Sequence, residues 1–220
     1  MEPTPALTIG ADHCRYPFEA RSITNVSGMS FGAISQPAVR ALSRGAGVAG
    51  CWMDTGEGGL SPFHLEGQCD VIMQIGTAKY GIRDSDGNLS PEKAQELAHV
   101  VKAFEIKLSQ GAKPGKGGVL PGGKVTEEIA RIRGIPEGQD SISPNRHHDI
   151  ANIDQLLDKV AYVRDLTGRP VGVKTAIGGW EFMNDLCEAV LRRGQQDAPD
   201  FLVIDGGEGG SGAAPQTLMD

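Results

Sequence analysis

The chain lacks several features that would place a protein in a class at once. It has no arginine-rich run and no basic stripe, and its formal net charge is −7, so nucleic acid is not an expected partner. No apolar run approaches the roughly 18 residues of a membrane span. The N-terminal segment MEPTPALTIGADH has the character of neither a signal peptide nor a transit peptide. We therefore expect a cytoplasmic protein with no membrane segment in this chain.

Cysteine is scarce and scattered, with 4 residues in 220, at Cys14, Cys51, Cys69 and Cys187. Their spacing matches no pattern of metal ligands. Reduced thiols are therefore expected, as is usual in the cytoplasm. Cys51 and Cys187 lie in apolar runs, and we predict that both are core residues.

Glycine is abundant, with 31 residues, about twice the usual share for a chain of this length. The most informative glycine cluster is QGAKPGKGG at 110–118, which follows the apolar segment 104–108. Glycine lets the backbone approach a ligand closely, and Lys107, Lys113 and Lys116 surround this loop with cations. The loop is either a solvated basic turn or a site for an anion such as a phosphate or carboxylate. The same strand-then-glycine arrangement recurs along the chain, which favours the site.

Strand and helix patterns alternate along the sequence. The predicted strands are 23–26, 48–53, 71–75, 104–108, 171–175 and 201–205. The predicted helices are 35–44 with Gly45 as its end, one that begins at Ser90-Pro91, a short one at 126–133, 154–166 with Gly168 as its end, and 180–193. Repeated strand–loop–helix units predict a parallel sheet with right-handed crossovers.

The position of the glycine clusters favours one α/β architecture over another. Every cluster falls at the carboxyl end of a predicted strand, where (β/α)8 TIM barrels carry their sites. An open doubly wound sheet is the alternative, and it concentrates its glycines at one or two switch points. We therefore predict a (β/α)8 TIM-barrel type of fold. About six of the eight units are visible, so the chain looks cut short.

Six motifs, in order, carry a resemblance to a known family. They are MSFGAIS (29–35), TGEGG (55–59), EIKLSQGAKPGKGGVLPGGKV (105–125), ISPNRHHDI (142–150), VGVKT (171–175) and IDGGEGGSGAAP (204–215). From about residue 22 onwards, the chain resembles the FMN-binding synthase domain of glutamate synthase, in its stand-alone branch without a glutaminase domain. The resemblance implies an N-terminal arm at 1–21 and an incomplete FMN-binding barrel at 22–220.

The resemblance also implies an activity and partners. Such a barrel would hold FMN and form 2-iminoglutarate from 2-oxoglutarate and ammonia, and the reduced flavin would then deliver hydride to give L-glutamate. An electron-donor protein or reductase subunit, and a glutaminase subunit as a source of ammonia, are implied as partners. Family members continue with two more strands, which bind most of the FMN phosphate, and with a cysteine triplet for a 3Fe-4S cluster. We therefore expect a fragment of a longer protein, with any cluster in the missing C-terminal part.

Flavin contacts are implied at three places in the chain. Ser27, Gly28 and Met29 leave the first strand where family members lay backbone against the isoalloxazine. Lys107 lies in an otherwise apolar strand, and a buried lysine is costly unless it is paired or faces a ligand. Beside a flavin it would stabilise the N1/C2=O region of the reduced ring, and Lys174 occupies the same position in the next strand. The alternative is that Lys107 points outward between helices and pairs with a nearby acid such as Glu105.

Asp205, Gly206 and Gly207 are placed by the resemblance near the flavin ribityl chain or phosphate. They form half of a site when the following strands are absent.

Substrate contacts are implied in two loops. Gln110 and Lys113 would hold the carboxylates of a 2-oxo diacid, to which lysine is suited as a mobile point charge. Glu57 in TGEGG is a catalytic candidate, which would orient the ammonia or imine side. Surface exposure is the alternative for each of these three.

The run His147-His148-Asp149 suggests a metal site or a triad, and we expect neither, because no third ligand is suitably spaced. We expect this loop to pack against the mouth of the barrel, with Asp149 as a partner. Two further functional hypotheses stay open. One is a related flavin-dependent synthase or dehydrogenase for another amino acid, such as an N-methylglutamate synthase subunit. The other is a non-catalytic barrel fragment without flavin.

Overall fold

The computed structural model describes residues 6–113 and 115–206. The strands are β1 (Leu7–Ile9), β2 (Phe18–Ala20), β3 (Met53–Asp54), β4 (Val71–Ile75), β5 (Ala103–Lys107), β6 (Val119–Leu120), β7 (Ser141–Ile142), β8 (Val171–Ala176) and β9 (Leu202–Asp205). The helices are α1 (Gln36–Ala49), α2 (Pro62–Leu65), α3 (Pro91–Ala98), α4 (Glu127–Arg133), α5 (Ile153–Thr167) and α6 (Glu181–Arg193). Short 3-10 turns lie at Gly122–Lys124 and Gln195–Asp197.

The central sheet has five parallel strands in the order β3-β4-β5-β8-β9, and it curls as half of a barrel does. A parallel sheet in chain order is what the repeating units predicted, and this part of the prediction is confirmed. The first predicted strand, at 23–26, is reduced to a single bridge between Val26 and Met53. Ile23 is exposed, so only the end of that segment reaches the sheet. The count of eight barrel units stays a prediction.

The sheet has an apolar outer face and a polar inner face, because successive side chains of a strand point to opposite sides. On the outer face, residues such as Met73, Phe104 and Val173 pack with α3 and α5 in one core cluster. Strand register places the alternate residues, such as Gln74 and Glu105, side by side on the inner face. All five residues of β4 and of β5 are buried, as is usual for parallel strands that are covered on both faces.

A β-hairpin covers the amino end of the inner face. Strands β1 and β2 pair antiparallel in the segment that was predicted as an N-terminal arm. Phe18 of β2 packs with Ile72 and Ala103, near the start of β4 and at the start of β5, together with half-buried Phe201. The inner face is therefore closed at the amino ends of its strands, so the site must be sought at their carboxyl ends.

Helix α1 is longer than predicted. It passes through Gly45 and ends at Gly50, whose φ is 68°. Within the helix, position 47 requires glycine, because the backbone of Gly67 lies close by. A Cβ at Gly47 would be 2.0 Å from the carbonyl oxygen of Gly67. Val48, predicted to begin a strand, is instead an exposed residue of this helix, and β3 begins at Met53.

Several predicted helix ends are confirmed. Ser35, Ser90 and Thr126 accept capping hydrogen bonds from backbone N–H groups of α1, α3 and α4. Gly168 ends α5 with a φ of 70°. The expected long loop after β5 also contains the short antiparallel pair β6 and β7, which the sequence did not reveal.

The cysteine predictions hold in part. All four cysteines are free thiols, but Cys187 is exposed on α6, so its assignment to the core is wrong. Cys51 is half-buried against the cluster around α1. Within the described parts of the chain, no helix combines the length and apolar composition that a membrane span requires.

Candidate functional site

Two lysines lie side by side on the inner face near the carboxyl ends of β5 and β8. Lys107 and Lys174 are register partners, and they expose only 9% and 6% of their surface. The Lys107 Nζ lies 3.4 Å from Glu57 Oε2 and donates to the Gln110 side-chain oxygen. The Lys174 Nζ lies 3.3 Å from Asp205 Oδ1. Lys107 thus points into the half-barrel, rather than outward to pair with an acid between the helices.

Glu57 links this pair of strands to the glycine-rich loop at 110–118. Its second oxygen, Oε1, lies 3.9 Å from the Nζ of Lys113. Two glycines make room for it: a Cβ at Gly76 would lie 2.7 Å from Glu57 Cβ, and one at Gly118 would lie 2.8 Å from Glu57 Oε1. The TGEGG loop, the end of β4 and the glycine-rich loop at 110–118, which we call the lysine loop, therefore meet around the carboxylate of Glu57.

Lys113 is buried although it lies in a loop, with 5% of its surface exposed. Burial lowers the pKa of its ammonium group, while the negative charge of Glu57 acts in the opposite direction. A shallow cleft joins this group to its surroundings, and its lining includes Glu57, Thr77, Lys107, Gln110, Lys113 and Asn145. The structure thus brings together four of the predicted site residues, at Glu57, Lys107, Gln110 and Lys113.

The segment with Ser27, Gly28 and Met29 lies along the same inner face. A Cβ at Gly28 would be 3.0 Å from Asp54 Oδ1 and 3.1 Å from Gln74 Nε2, so the backbone approaches the inner face closely. Ser27 is exposed. Met29 differs, because its side chain packs in the cluster around α1, its N–H donates to the Asp54 carbonyl, and its carbonyl accepts from the neighbouring His64. Ser27 and Gly28 are therefore the members of this trio that are available to a ligand.

Asp205 connects the last strand to the lysine loop. Its Oδ1 pairs with Lys174, and its Oδ2 accepts a hydrogen bond of 2.7 Å from the backbone N–H of Gly111. Gly206 follows and is exposed. Gly207, the third member of this predicted group, lies outside the described residues.

The His147-His148-Asp149 run supports the lysine strand. His147 is buried, and its Nε2–H donates to the carbonyl oxygen of Lys107 at 2.8 Å. Burial lowers the pKa of this imidazole. Asp149 pairs with two lysines rather than with a histidine: Lys79 Nζ lies 3.0 Å away and Lys159 Nζ 2.6 Å. Within residues 6–113 and 115–206, no cluster of three or more His, Cys, Asp or Glu side chains suits a metal ion.

Three buried polar residues were missed at the sequence level. Lys79 is fully buried and has a φ of 53°, and nothing in the turn GTAKYG distinguished it from a surface lysine. Asp54 and Glu105 each expose 2% on the inner face. Glu105 had a detectable signal, because it lies two residues before Lys107 in a strand and so shares its face.

The pKa values of Asp54 and Glu105 are both shifted upwards. Burial raises the pKa of Asp54 well above its usual range, and the negative charge of Glu105 raises it further. Burial also raises the pKa of Glu105, against the hydrogen bond from Gln74 and the positive charges of Lys174 and Lys107.

A family model described as the conserved region in glutamate synthase matches residues 2–220. The chain belongs to the glutamate synthase family. Two of the glutamate synthase motifs, at 55–59 and 105–125, form the loops after β3 and β5, which lie at the same edge of the sheet as the two lysines.

Curated relatives agree with this family. A glutamate synthase large subunit-like protein of Bacillus subtilis is 41% identical over 100% of this chain and 42% of its own length. An archaeal-type glutamate synthase [NADPH] of Thermotoga maritima is 38% identical over 87% of this chain and 35% of its own. A large subunit-like protein of Rhizobium meliloti is 31% identical over 98% of this chain and 45% of its own. The chain thus spans less than half the length of these glutamate synthase relatives.

Proposed function

We propose that this chain carries the amino-acid-forming site of an FMN-dependent glutamate synthase-type oxidoreductase. The reaction would be the reduction of 2-iminoglutarate, formed from 2-oxoglutarate and ammonia, to L-glutamate. The observation that carries the proposal is the meeting of Lys107, Gln110 and Lys113 around Glu57, beside Lys174, in a glutamate synthase-family chain. Within the described residues, this is where buried cations converge at the carboxyl edge of the sheet.

The described residues fit FMN in two respects. The backbone at Gly28 packs closely on Asp54 and Gln74, where a side chain would clash, so a glycine is needed in the segment that would lie against the ring. Lys107 and Lys174 form a buried pair of neighbouring cations, which suits the electron-rich edge of a reduced ring.

Other residues would complete the hold on FMN. Ser27 and Gly28 would flank the ring, and Asp205, Gly206 and Gly207 would extend towards the ribityl chain and phosphate. When bound, FMN supplies the hydride.

The lysine loop would bind the 2-oxo diacid. Lys113 and Gln110 offer a cation and an amide to its carboxylates, and charge-assisted bonds of this kind are the strong ones. In the free protein, the carboxylate of Glu57 pairs with Lys113 and Lys107. A substrate carboxylate would replace Glu57 at Lys113. Glu57 would then be free to accept a hydrogen bond from an N–H group of ammonia or the imine.

The proposed reaction has two steps, and neither requires a strong acid from the protein. Ammonia adds to the keto carbon of 2-oxoglutarate and water leaves, which gives 2-iminoglutarate. Hydride is added to the imine carbon and one proton to the nitrogen, which gives L-glutamate. The imine is already electrophilic, so the main task of these residues is to hold the acceptor carbon at reacting distance. Positioning of this kind accounts for a large part of many rate enhancements.

Electrons and ammonia would come from partners. An electron-donor protein or a reductase subunit would reduce the flavin, and a glutaminase subunit would supply ammonia where free ammonia is scarce. One of the compared relatives bears on the electron donor, since the archaeal-type glutamate synthase of Thermotoga maritima is named for NADPH.

Turnover and flavin absorbance of the full natural protein test the proposal. We expect a flavin spectrum and the formation of L-glutamate from 2-oxoglutarate and ammonia with a chemical reductant. Faster turnover with methylamine than with ammonia would favour an N-methylglutamate synthase-type enzyme. A protein that takes up no flavin would instead be a non-catalytic barrel, and the proposal would be wrong.

A further inference from the structure

Two carboxyl groups on the inner face have no cationic partner of their own. Asp54 and Glu105 are both 98% buried, since each exposes 2% of its surface. Across residues 6–113 and 115–206, the salt bridges of the inner-face lysines go to Glu57 and Asp205, and none reaches Asp54 or Glu105. Burying two carboxylates on one face of the sheet as free anions is unfavourable, because the interior does not replace their hydration.

Hydrogen bonds compensate each carboxyl group only partly. Asp54 Oδ1 accepts from the backbone N–H of Gly56 at 2.6 Å, while its Oδ2 is buried and has no hydrogen-bond partner among the described residues. Glu105 Oε1 accepts from Gln74 Nε2 at 2.6 Å. Asp54 Oδ2 thus lacks any donor that would stabilise a negative charge on this buried carboxyl group.

We propose that Asp54 and Glu105 share one proton in the folded protein at neutral pH, and that this proton lets an anionic ligand bind at the lysines above them. Asp54, with its unpartnered Oδ2, is the main holder. The proposal deepens the proposed function, from which it takes the 2-oxo diacid as the ligand. Asp54 acts here through the lysines and is a positioning residue.

The link between the proton and the ligand is electrostatic. Without the proton, the pair would carry two negative charges below Lys107 and Lys174, and these would compete with a ligand anion for the same cations. Glu57, Lys113 and Asp205 face the same space, and the buried Arg133 lies near Glu57, so all four charges modulate the effect. Ligand affinity should therefore fall as the pH rises through the apparent pKa of the pair, which titrates as one unit. Over that range, binding of the anion should take up protons from solution.

Infrared spectroscopy of the full natural protein tests for the proton. At neutral pH we expect a protonated-carboxyl C=O band that persists in Asp70→Asn and is lost in Asp54→Asn. Asp70 is a matched control, because it is a half-exposed acid whose salt bridge to Lys102 lies near the amino ends of the strands. The Asn at position 54 keeps the acceptor for Gly56, so the fold should survive. Glu105→Gln is the second variant, and it should lower the pH at which the remaining Asp54 band disappears. A band absent from the wild type, or unchanged in both variants, would overturn the proposal.

Calorimetric titration with 2-oxoglutarate tests the link to the ligand. Measurements in two buffers of different ionisation enthalpy report the protons taken up. We expect the wild-type Kd to rise roughly tenfold over the pH range in which the infrared band disappears, the size of about one pKa unit of coupling. Asp54→Asn should lose this dependence and the proton uptake.

The two tests separate this proposal from the proposed function. The same pH dependence in the wild type and in Asp54→Asn would contradict the link. No binding of 2-oxoglutarate at any pH, with the infrared band present, would contradict the proposed function and the link while supporting the shared proton.

Discussion

Glu57 accounts for much of the site at the scale of single residues. Its two oxygens each face a lysine, at 3.4 Å from Lys107 and 3.9 Å from Lys113, and both lysines are largely buried. In the free protein, the carboxylate of Glu57 therefore compensates the charges of Lys107 and Lys113, which are largely removed from water. A ligand with carboxylates of its own can exchange with Glu57 without leaving either lysine uncompensated.

Replacing Lys113 tests its assignment to the substrate. In the full natural enzyme, Lys113→Ala should raise the apparent KM for 2-oxoglutarate tenfold or more, because one charged contact to a carboxylate is worth about 1.5–3 kcal/mol. Flavin content should change little. Lys124→Ala is the control, since Lys124 is exposed and does not line the cleft around Lys113. Flavin loss with an unchanged KM would show that Lys113 serves the cofactor instead.

Asp149 is expected to matter for stability rather than for ligand binding. Asp149→Asn would leave the fully buried Lys79 without its counter-charge, at a cost of about 3 kcal/mol in the free energy of unfolding. Asp158→Asn, which removes an exposed pair with Arg193, should change it by less than about 0.5 kcal/mol. Denaturant titration at neutral pH compares them, and equal losses in the two variants would refute the assignment.

The ion pairs of Asp149 also predict how the stability of the protein depends on pH. Burial alone would raise the pKa of Asp149, but the bonds from Lys159 and Lys79 hold it below its ordinary value of 3.8. The carboxylate therefore contributes stability at neutral pH, and this is lost as the pH falls below about 4. The gap between the wild type and Asp149→Asn should narrow over that range in acid denaturation.

Sequence patterns predicted those site residues that follow strands and missed those held by distant contacts. Lys107 and Lys113 were found because a glycine cluster marks the end of their strand. Lys79 and Asp54 escaped notice, because their burial depends on loops that return from elsewhere in the chain. The local periodicity of a sequence does not show which distant segments pack against it.

Helix α1 shows, at the scale of elements, why a glycine is ambiguous in a sequence. Gly45 and Gly47 are both interior to the helix, although Gly45 was predicted to end it. The wrong end point followed from treating glycine as a stop signal, whereas Gly47 is required by the close approach of Gly67. By contrast, Gly168 is a true stop, with positive φ and a capping N–H bond to the Arg164 carbonyl.

The two glycines of α1 should respond oppositely to alanine. Gly45 has no atom within 4 Å of its ideal Cβ, so Gly45→Ala should stabilise the protein by about 0.5–1 kcal/mol through helix propensity. Gly47→Ala should destabilise it, because its Cβ would lie 2.0 Å from the Gly67 carbonyl oxygen. Thermal unfolding of both variants decides the point. A gain at both positions would mean that the helix moves away from Gly67 at little cost.

The whole molecule is a curled sheet that is closed at one end by the β1–β2 hairpin. The parallel sheet, its strand order and its site edge follow from repeated strand–loop–helix units, and these were predictable. The hairpin was not, because three-residue strands lie below the length at which alternation is visible. Its burial of Phe18 against Ile72 depends on tertiary packing alone.

The hairpin is expected to contribute to global stability. Phe18 exposes 3% of its surface, so Phe18→Ala should cost about 3–5 kcal/mol in the free energy of unfolding. Leu7→Ala in the same hairpin should cost less than about 0.5 kcal/mol, because Leu7 is 67% exposed. Equal losses would show that the hairpin acts through its backbone pairing instead.

The hairpin also sets an order of events during synthesis. The loop between its strands docks late: Tyr16 donates its N–H to the carbonyl of Gly168, and Cys14 contacts Asp200, 186 positions further along. At ribosomal rates of about 5–20 residues per second, the emerging hairpin waits roughly 10–40 s for that surface to be made. Phe18 meets Ile72 and Ala103 earlier, but Phe201 and the partners of the hairpin loop arrive only at the end of this interval, so the nascent hairpin stays partly uncovered and open to aggregation until then.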